Sequence, residues 1–170
     1  MVEEVNKEFR DLRDKGLSWP EDAFSRQDES NDTIFYSRDR LVSHVDSSAL
    51  ERIESLISQL IPEKQPVVLD LMAGWDSHWP KGRRPLKMVG LGLNETELKH
   101  NSVLTEYVLQ DLNLNPLLPF PDGTFDAVLN TVSVDYLTKP VEVFKEVGRI
   151  IKPGGLFLVI FSNRFFPQKS

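Results

Sequence analysis

Residues 118–130 read Leu118-Pro119-Phe120-Pro121-Asp122-Gly123-Thr124-Phe125-Asp126-Ala127-Val128-Leu129-Asn130, and residues 140–161 read Pro140-Val141-Glu142-Val143-Phe144-Lys145-Glu146-Val147-Gly148-Arg149-Ile150-Ile151-Lys152-Pro153-Gly154-Gly155-Leu156-Phe157-Leu158-Val159-Ile160-Phe161. The first stretch ends in a short apolar run, Phe125 to Asn130, bounded by turn residues, which is how a buried strand reads. In the second, Val143, Phe144, Val147 and Ile150 recur at helical spacing and predict one apolar stripe on a helix from Pro140 to Ile151. Pro153-Gly154-Gly155 then predicts a tight turn, because glycine is free to take positive φ. Leu156 to Phe161 is the next strand candidate. Strand, helix and strand in that order form the unit of a parallel sheet.

The same alternation extends upstream. Val67 to Leu71, Leu86 to Leu91 and Tyr107 to Leu109 are further apolar runs, and Glu95 to His100 is a short helical pattern. The expected fold class is therefore α/β, a doubly wound sheet of five strands with helices on both faces. Before the sheet, Leu50, Ile53, Leu56, Ile57, Leu60 and Ile61 mark one face of an amphipathic helix from Ser47 to Ile61, capped by Asp46, Ser47 or Ser48 and stopped by Pro62. Residues 1–33 are dense in charge with irregular apolar spacing, and read as an N-terminal arm or lid on an α/β domain of 34–170.

At 170 residues, 40% apolar and 27% charged, the chain has the proportions of one globular domain. A net charge of −6 gives no draw toward phosphate backbones or anionic lipid, so general nucleic-acid binding and membrane association are not expected. The lack of cysteine excludes disulfides, thiolate nucleophiles and cysteine-based metal sites. Met1 to Arg10 carries acids and no apolar run, so a cytoplasmic location is the expectation. Lys81, Arg83, Arg84 and Lys87 form the basic cluster of the chain, in the connection between the first two strands. Pro80, Gly82 and Pro85 leave room there for a turn of helix at most, and the cluster reads as a solvated loop rather than the alternative, a site for a phosphate-bearing ligand.

From Val67 onward the order of signals resembles the class I S-adenosylmethionine-dependent methyltransferases, especially the type 11 branch. The segments Leu118 to Val128 and Glu146-Val147-Gly148-Arg149-Ile150-Ile151-Lys152-Pro153-Gly154-Gly155 carry the resemblance. Arg40 to Asp46, Leu69 to Pro80 and Phe161 to Pro167 are similar to an atypical methyltransferase-like subgroup. The resemblance implies S-adenosylmethionine as cofactor and a strand order of 3-2-1-4-5, with ligand bound in the loops after strands one to four. On the family pattern, the glycine-rich cofactor loop runs through Asp70, Met72, Ala73, Gly74, Trp75 and Asp76. Its three glycine places fall on Met72, Gly74 and Asp76, so one glycine remains. The place of the acid that accepts both ribose hydroxyls falls on Gly92, with Asn94 or Glu95 nearby. Gln110-Asp111-Leu112 retains the acid suited to the adenine amino group. Thr131, Ser133, Asp135 and Tyr136, after the fourth strand, occupy the family's substrate-facing place.

Independently of the family, the helix from Ser47 should run antiparallel to the first strand and bring His44 and Asp46 toward Trp75, Asp76 and His78. Three readings of that cluster stay open. His44 or His78 acts as a general base, its tautomer fixed by a carboxylate; or His and Asp hold a metal, although the spacing fits no compact motif; or these groups cap the helix and bond the loop backbone. Asp111 is likewise either a cofactor ligand or a turn cap, and Asp70 either a loop organiser or an acceptor of backbone N–H groups.

The function expected is methyl transfer to a small molecule or a protein side chain. The rival is a methyltransferase-like module that has lost cofactor binding and serves in binding or assembly. Family members continue past the fifth strand with a helix and an antiparallel strand pair. Here that strand would stand at the sheet edge, and either a homodimer joined there or a fragment of a longer protein is expected.

Overall fold

The structure, a computed structural model, describes residues 20, 22–42, 45–162 and 167–169. Among the described residues, four α-helices, α1 (Asp32–Phe35), α2 (Ser47–Leu60), α3 (Glu95–His100) and α4 (Pro140–Ile150), accompany five strands. The strands are β1 (Val67–Leu71), β2 (Lys87–Gly92), β3 (Glu106–Leu109), β4 (Phe125–Thr131) and β5 (Ile151–Ile160), with a 3-10 turn at Val134–Tyr136. They form one sheet in the order β3-β2-β1-β4-β5, and every pair is parallel.

The period-2 alternation of the strands builds two cores. On one face Val68, Met88, Ala127 and Leu129 pack against Ile53, Ile57 and Ile61 of α2 and its end. On the other, Leu69, Leu71, Val89, Leu91, Phe125 and Val128 meet Val143, Val147 and Ile150 of α4. The Asp46 carboxylate caps α2 by accepting the Ala49 N–H at 2.9 Å. Arg83 ties down the other end, donating through Nη2 to the carbonyls of Ile61 (2.7 Å) and Glu63 (2.9 Å) while stacking over Trp79. Arg83 is thus part of the scaffold, while Lys81 and Lys87 pair with Glu54 and Glu106.

β5 departs from the expected Leu156–Phe161. It begins at Ile151, directly after α4, and ends at Ile160. Pro153-Gly154-Gly155 lies inside a register irregularity in which Phe125 to Ala127 of β4 face Ile151 to Leu156. Gly154 takes φ 82°, and a Cβ on Gly155 would fall 2.8 Å from the Asp126 carbonyl. The turn expected after the helix is therefore a bulge that lets β5 start early. Among the described residues, no helix is long and apolar enough to cross a membrane.

Candidate functional site

A cavity of about 300 Å³ opens at the carboxyl ends of β1 to β4, the place where doubly wound sheets present their loops to ligands. Beyond β1 the chain turns through Met72 at φ 62°, and the Ala73 N–H donates to the Leu91 carbonyl at 2.8 Å. Asn101 supports the turn from behind, donating to the Gly74 carbonyl (3.0 Å) and to Ser77 Oγ (2.9 Å). Trp75 is fixed by its indole N–H on the Val42 carbonyl at 2.8 Å, which draws the segment ahead of α2 to the mouth of the sheet. His78, at φ 52°, is 6% exposed; its ring Nδ1 lies 3.0 Å from Asp76 Oδ2 and its backbone N–H donates to Asp76 Oδ1 at 2.8 Å. The hydrogen bond with His78 holds the Asp76 carboxyl below the usual carboxylate range.

Beneath this loop Asp70 is fully enclosed. Burial pushes its carboxyl up to about 6, with the hydrogen bond to Ser77 opposing, and its Oδ2 has no hydrogen-bond partner.

Beyond β2, Gly92 is pressed against the turn after β1: a Cβ there would stand 2.3 Å from the Ala73 carbonyl oxygen. No side chain, and so no acid, fits at this place without moving the backbone. Asn94 caps α3, its Oδ1 accepting the Glu97 N–H at 3.0 Å while its Nδ2 donates to the Tyr36 carbonyl and to Asp39. Glu95 faces away from the cavity, bound by Tyr107 and Lys99 on the exposed surface. The acid that reaches the cavity is Glu97. Its Oε1 accepts the Arg40 N–H at 2.8 Å, its Oε2 would lie 3.1 Å from a Cβ on Gly74, and burial pushes its carboxyl up.

Beyond β3, Gln110 is spent on the loop, donating to the carbonyls of Asn115 and Leu117. Asp111 Oδ1 accepts the N–H groups of Asn113 (2.9 Å) and Leu114 (3.3 Å), an Asx-type turn that leaves its second oxygen outside these bonds. Gln110, Asp111 and the mostly buried Leu112 all line the cavity. Beyond β4, Val132 takes φ 49°, and Ser133 Oγ is buried without a partner on the cavity wall.

The site thus gathers Met72, Ala73, Gly74, Trp75, Asp76, His78, Gly92, Asn94, Gln110, Asp111, Leu112, Ser133 and Tyr136 around one cavity. Asp70 lies behind the wall rather than on it, and Thr131 is not part of it. Asp135 sits in a separate apolar groove with Phe24, Leu137 and Phe144. Asp46 is occupied as a helix cap, and His44 lies outside the described residues. Among the described residues no cluster of three or more potential metal ligands occurs.

The segment ahead of α2 lies at the mouth of the sheet, as expected, but through residues that were not among the candidates. It contributes Asp32, Tyr36, Arg40 and Val42. Burial alone would raise the Asp32 carboxyl, but Arg26, Asn113 and Lys169 bind it and hold it below the usual range. Asn113 also donates to the Tyr136 carbonyl, so one side chain joins this segment to the loops after β3 and β4.

A family model described as a methyltransferase domain matches residues 80–159. A fatty-acid O-methyltransferase of Mycolicibacterium smegmatis is 40% identical over 91 residues, covering 50% of this chain and 32% of that protein. A human mitochondrial arginine-hydroxylase is 29% identical over 154 residues, covering 88% of this chain and 40% of that protein. The crystal structure of the PH0226 protein from Pyrococcus horikoshii superposes with a TM-score of 0.57 at 27% identity, over 74% of this chain and 62% of that one. The chain spans about a third of the length of the curated relatives it matches first. The loop after β1 precedes the matched segment, which starts at residue 80.

Proposed function

We propose, from the match of residues 80–159 to a methyltransferase-domain family and the likeness to the proteins above, that the chain is a class I S-adenosylmethionine-dependent methyltransferase, that its cavity binds S-adenosylmethionine, and that the protein transfers the methyl group to a small molecule or a protein side chain. The observation that carries the reading is a pair of carboxylates on the cavity wall, Glu97 and Asp111, each with an oxygen not spent on a cation or on the backbone bonds described above. A nucleoside offers hydroxyl and amino donors that such oxygens accept.

The residues fit the cofactor. Asp111 accepts from the adenine amino group with the oxygen its turn leaves over. Glu97 takes the ribose hydroxyls, in place of the acid that Gly92 has no room to be. Gly74 keeps the floor open, since a side chain there would crowd Glu97. Ser133 Oγ, buried and unpaired, gains a partner from the ligand. When bound, the cofactor supplies an electrophilic methyl group on a sulfonium; the chain's part is to align the acceptor with it and to exclude water.

Calorimetric titration with S-adenosylhomocysteine tests this directly. Micromolar binding is expected, weakened about tenfold or more in Asp111→Asn, which keeps the turn's carbonyl acceptor but loses the charge. Absence of heat up to millimolar ligand would overturn the reading and favour the module that only binds partners.

A further inference from the structure

We propose that Asp76 and His78 form a general-base dyad on the cavity wall, and hence that the methyl acceptor is a group with a proton to lose, a neutral O–H or N–H. The proposal rests on the cofactor reading above for the identity of the reaction, and on its own geometry for the base.

The imidazole is held twice by one carboxylate: Nδ1 lies 3.0 Å from Asp76 Oδ2, and the His78 backbone N–H donates to Oδ1 at 2.8 Å. Because Asp76 stays anionic through the neutral range, Nδ1 carries the proton and Nε2 carries the lone pair. Among the described residues Nε2 has no hydrogen bond, although the side chain is 6% exposed and lines the cavity. Unlike Ser133 Oγ, Nε2 is not closed off from solvent, so its lone pair is open to a molecule entering the cavity. The backbone is strained to hold it in place. Met72, His78 and Val132 are the non-glycine residues with positive φ among those described, and all three line this cavity. Strain gathered at one wall is a mark of a working site. Around the imidazole, Asp70 lies behind the loop, and Lys81 acts on Asp76 from the solvent side.

The step balances without a further reagent. The acceptor's proton passes to Nε2 while the acceptor–methyl bond forms; the sulfur–methyl bond breaks and leaves its electron pair on sulfur, and the imidazolium is stabilised by Asp76. A thioether or a carboxylate acceptor would leave this base with nothing to remove. His78 is the catalytic residue of the pair and Asp76 the positioning one.

The test uses nitrogen NMR on the chain labelled at its three histidines. His100 supplies the reference, since its Nδ1 faces the Thr96 carbonyl at 2.7 Å and must be protonated there. His78 is expected in the same Nδ1–H tautomer, and to shift toward Nε2–H in Asp76→Asn. With S-adenosylhomocysteine present, phenol should move the Nε2 resonance and anisole, which has no proton to give, should not. Phenol affinity should fall about tenfold in His78→Asn, a replacement chosen because asparagine tolerates positive φ. An Nε2–H tautomer in the wild type, or equal response to phenol and anisole, overturns the dyad. Failure of S-adenosylhomocysteine to bind would count against the cofactor reading instead, and the tautomer would still decide the dyad.

Discussion

The turns after β1 and β2 touch at one point, Gly92 against the Ala73 carbonyl, and each treats glycine in the opposite way. After β1, a left-handed backbone that favours glycine is held by Met72 at φ 62°. After β2, a glycine occupies the place of an acid because the neighbouring turn stands too close for a Cβ. The comparison teaches that the bend of a cofactor loop and the residues usual in it are separable. The bend survives with methionine once the Ala73 N–H and Asn101 hold it, and a carboxylate stands on the cavity wall five residues beyond Gly92, at Glu97.

The strongest way to break this comparison is Gly92→Asp, which installs the acid without the space. The Cβ overlaps backbone rather than a flexible side chain, so a loss of about 3 kcal/mol or more is expected in urea unfolding. An unchanged midpoint would mean that the two turns separate freely.

A second probe reaches under the turn after β1. Burial holds the folded Asp70 carboxyl up at about 6 against an ordinary 3.8, so the folded chain binds this proton more tightly than the unfolded one. The stability it lends is fully present below about pH 4 and is lost as pH rises through 6, by up to about 3 kcal/mol. Asp70→Asn should therefore gain stability relative to the wild type at pH 7 and not at pH 4, read from paired unfolding curves. A constant difference across that range would sink the assignment.

Glu97→Gln sharpens the comparison from the side of the second turn. It should weaken S-adenosylhomocysteine by about tenfold with the thermal midpoint nearly unchanged, since the helix cap belongs to Asn94. Equal affinity would remove Glu97 from the ribose. The smallest effect is expected for Met72→Gly: relief of the left-handed strain is worth about 1 kcal/mol, and lost packing offsets part of it. A large destabilisation would show that the methionine side chain, not the bend, matters there.

Much of the fold was legible in the sequence because it rests on local periodicity. β1 and α3 fall where the apolar runs and the helical spacing put them, and α2 ends one residue short of expectation. β5 was read short because a proline and two glycines look like a loop, and only pairing with β4 turns them into a bulge. The candidate site was legible where it follows strand ends, as at Asp111. Glu97 was missed because Asn94 and Glu95, nearer the end of β2, were read as the groups within reach of the ribose, and the Glu97 carboxylate is turned by Arg40, 57 residues away. Asp32 was missed for the same reason: its partners Asn113 and Lys169 come from distant parts of the chain. Nothing local encodes such contacts.

The central claim is that one cavity, bounded by the loops after β1 to β4, receives the cofactor. Mapping backbone amide shifts during titration with S-adenosylhomocysteine tests it most directly. Changes are expected at Gly74, Glu97, Asp111 and Ser133, with Val141 and Phe144 of the separate groove unmoved. No change at millimolar ligand, or changes confined to that groove, would contradict the account.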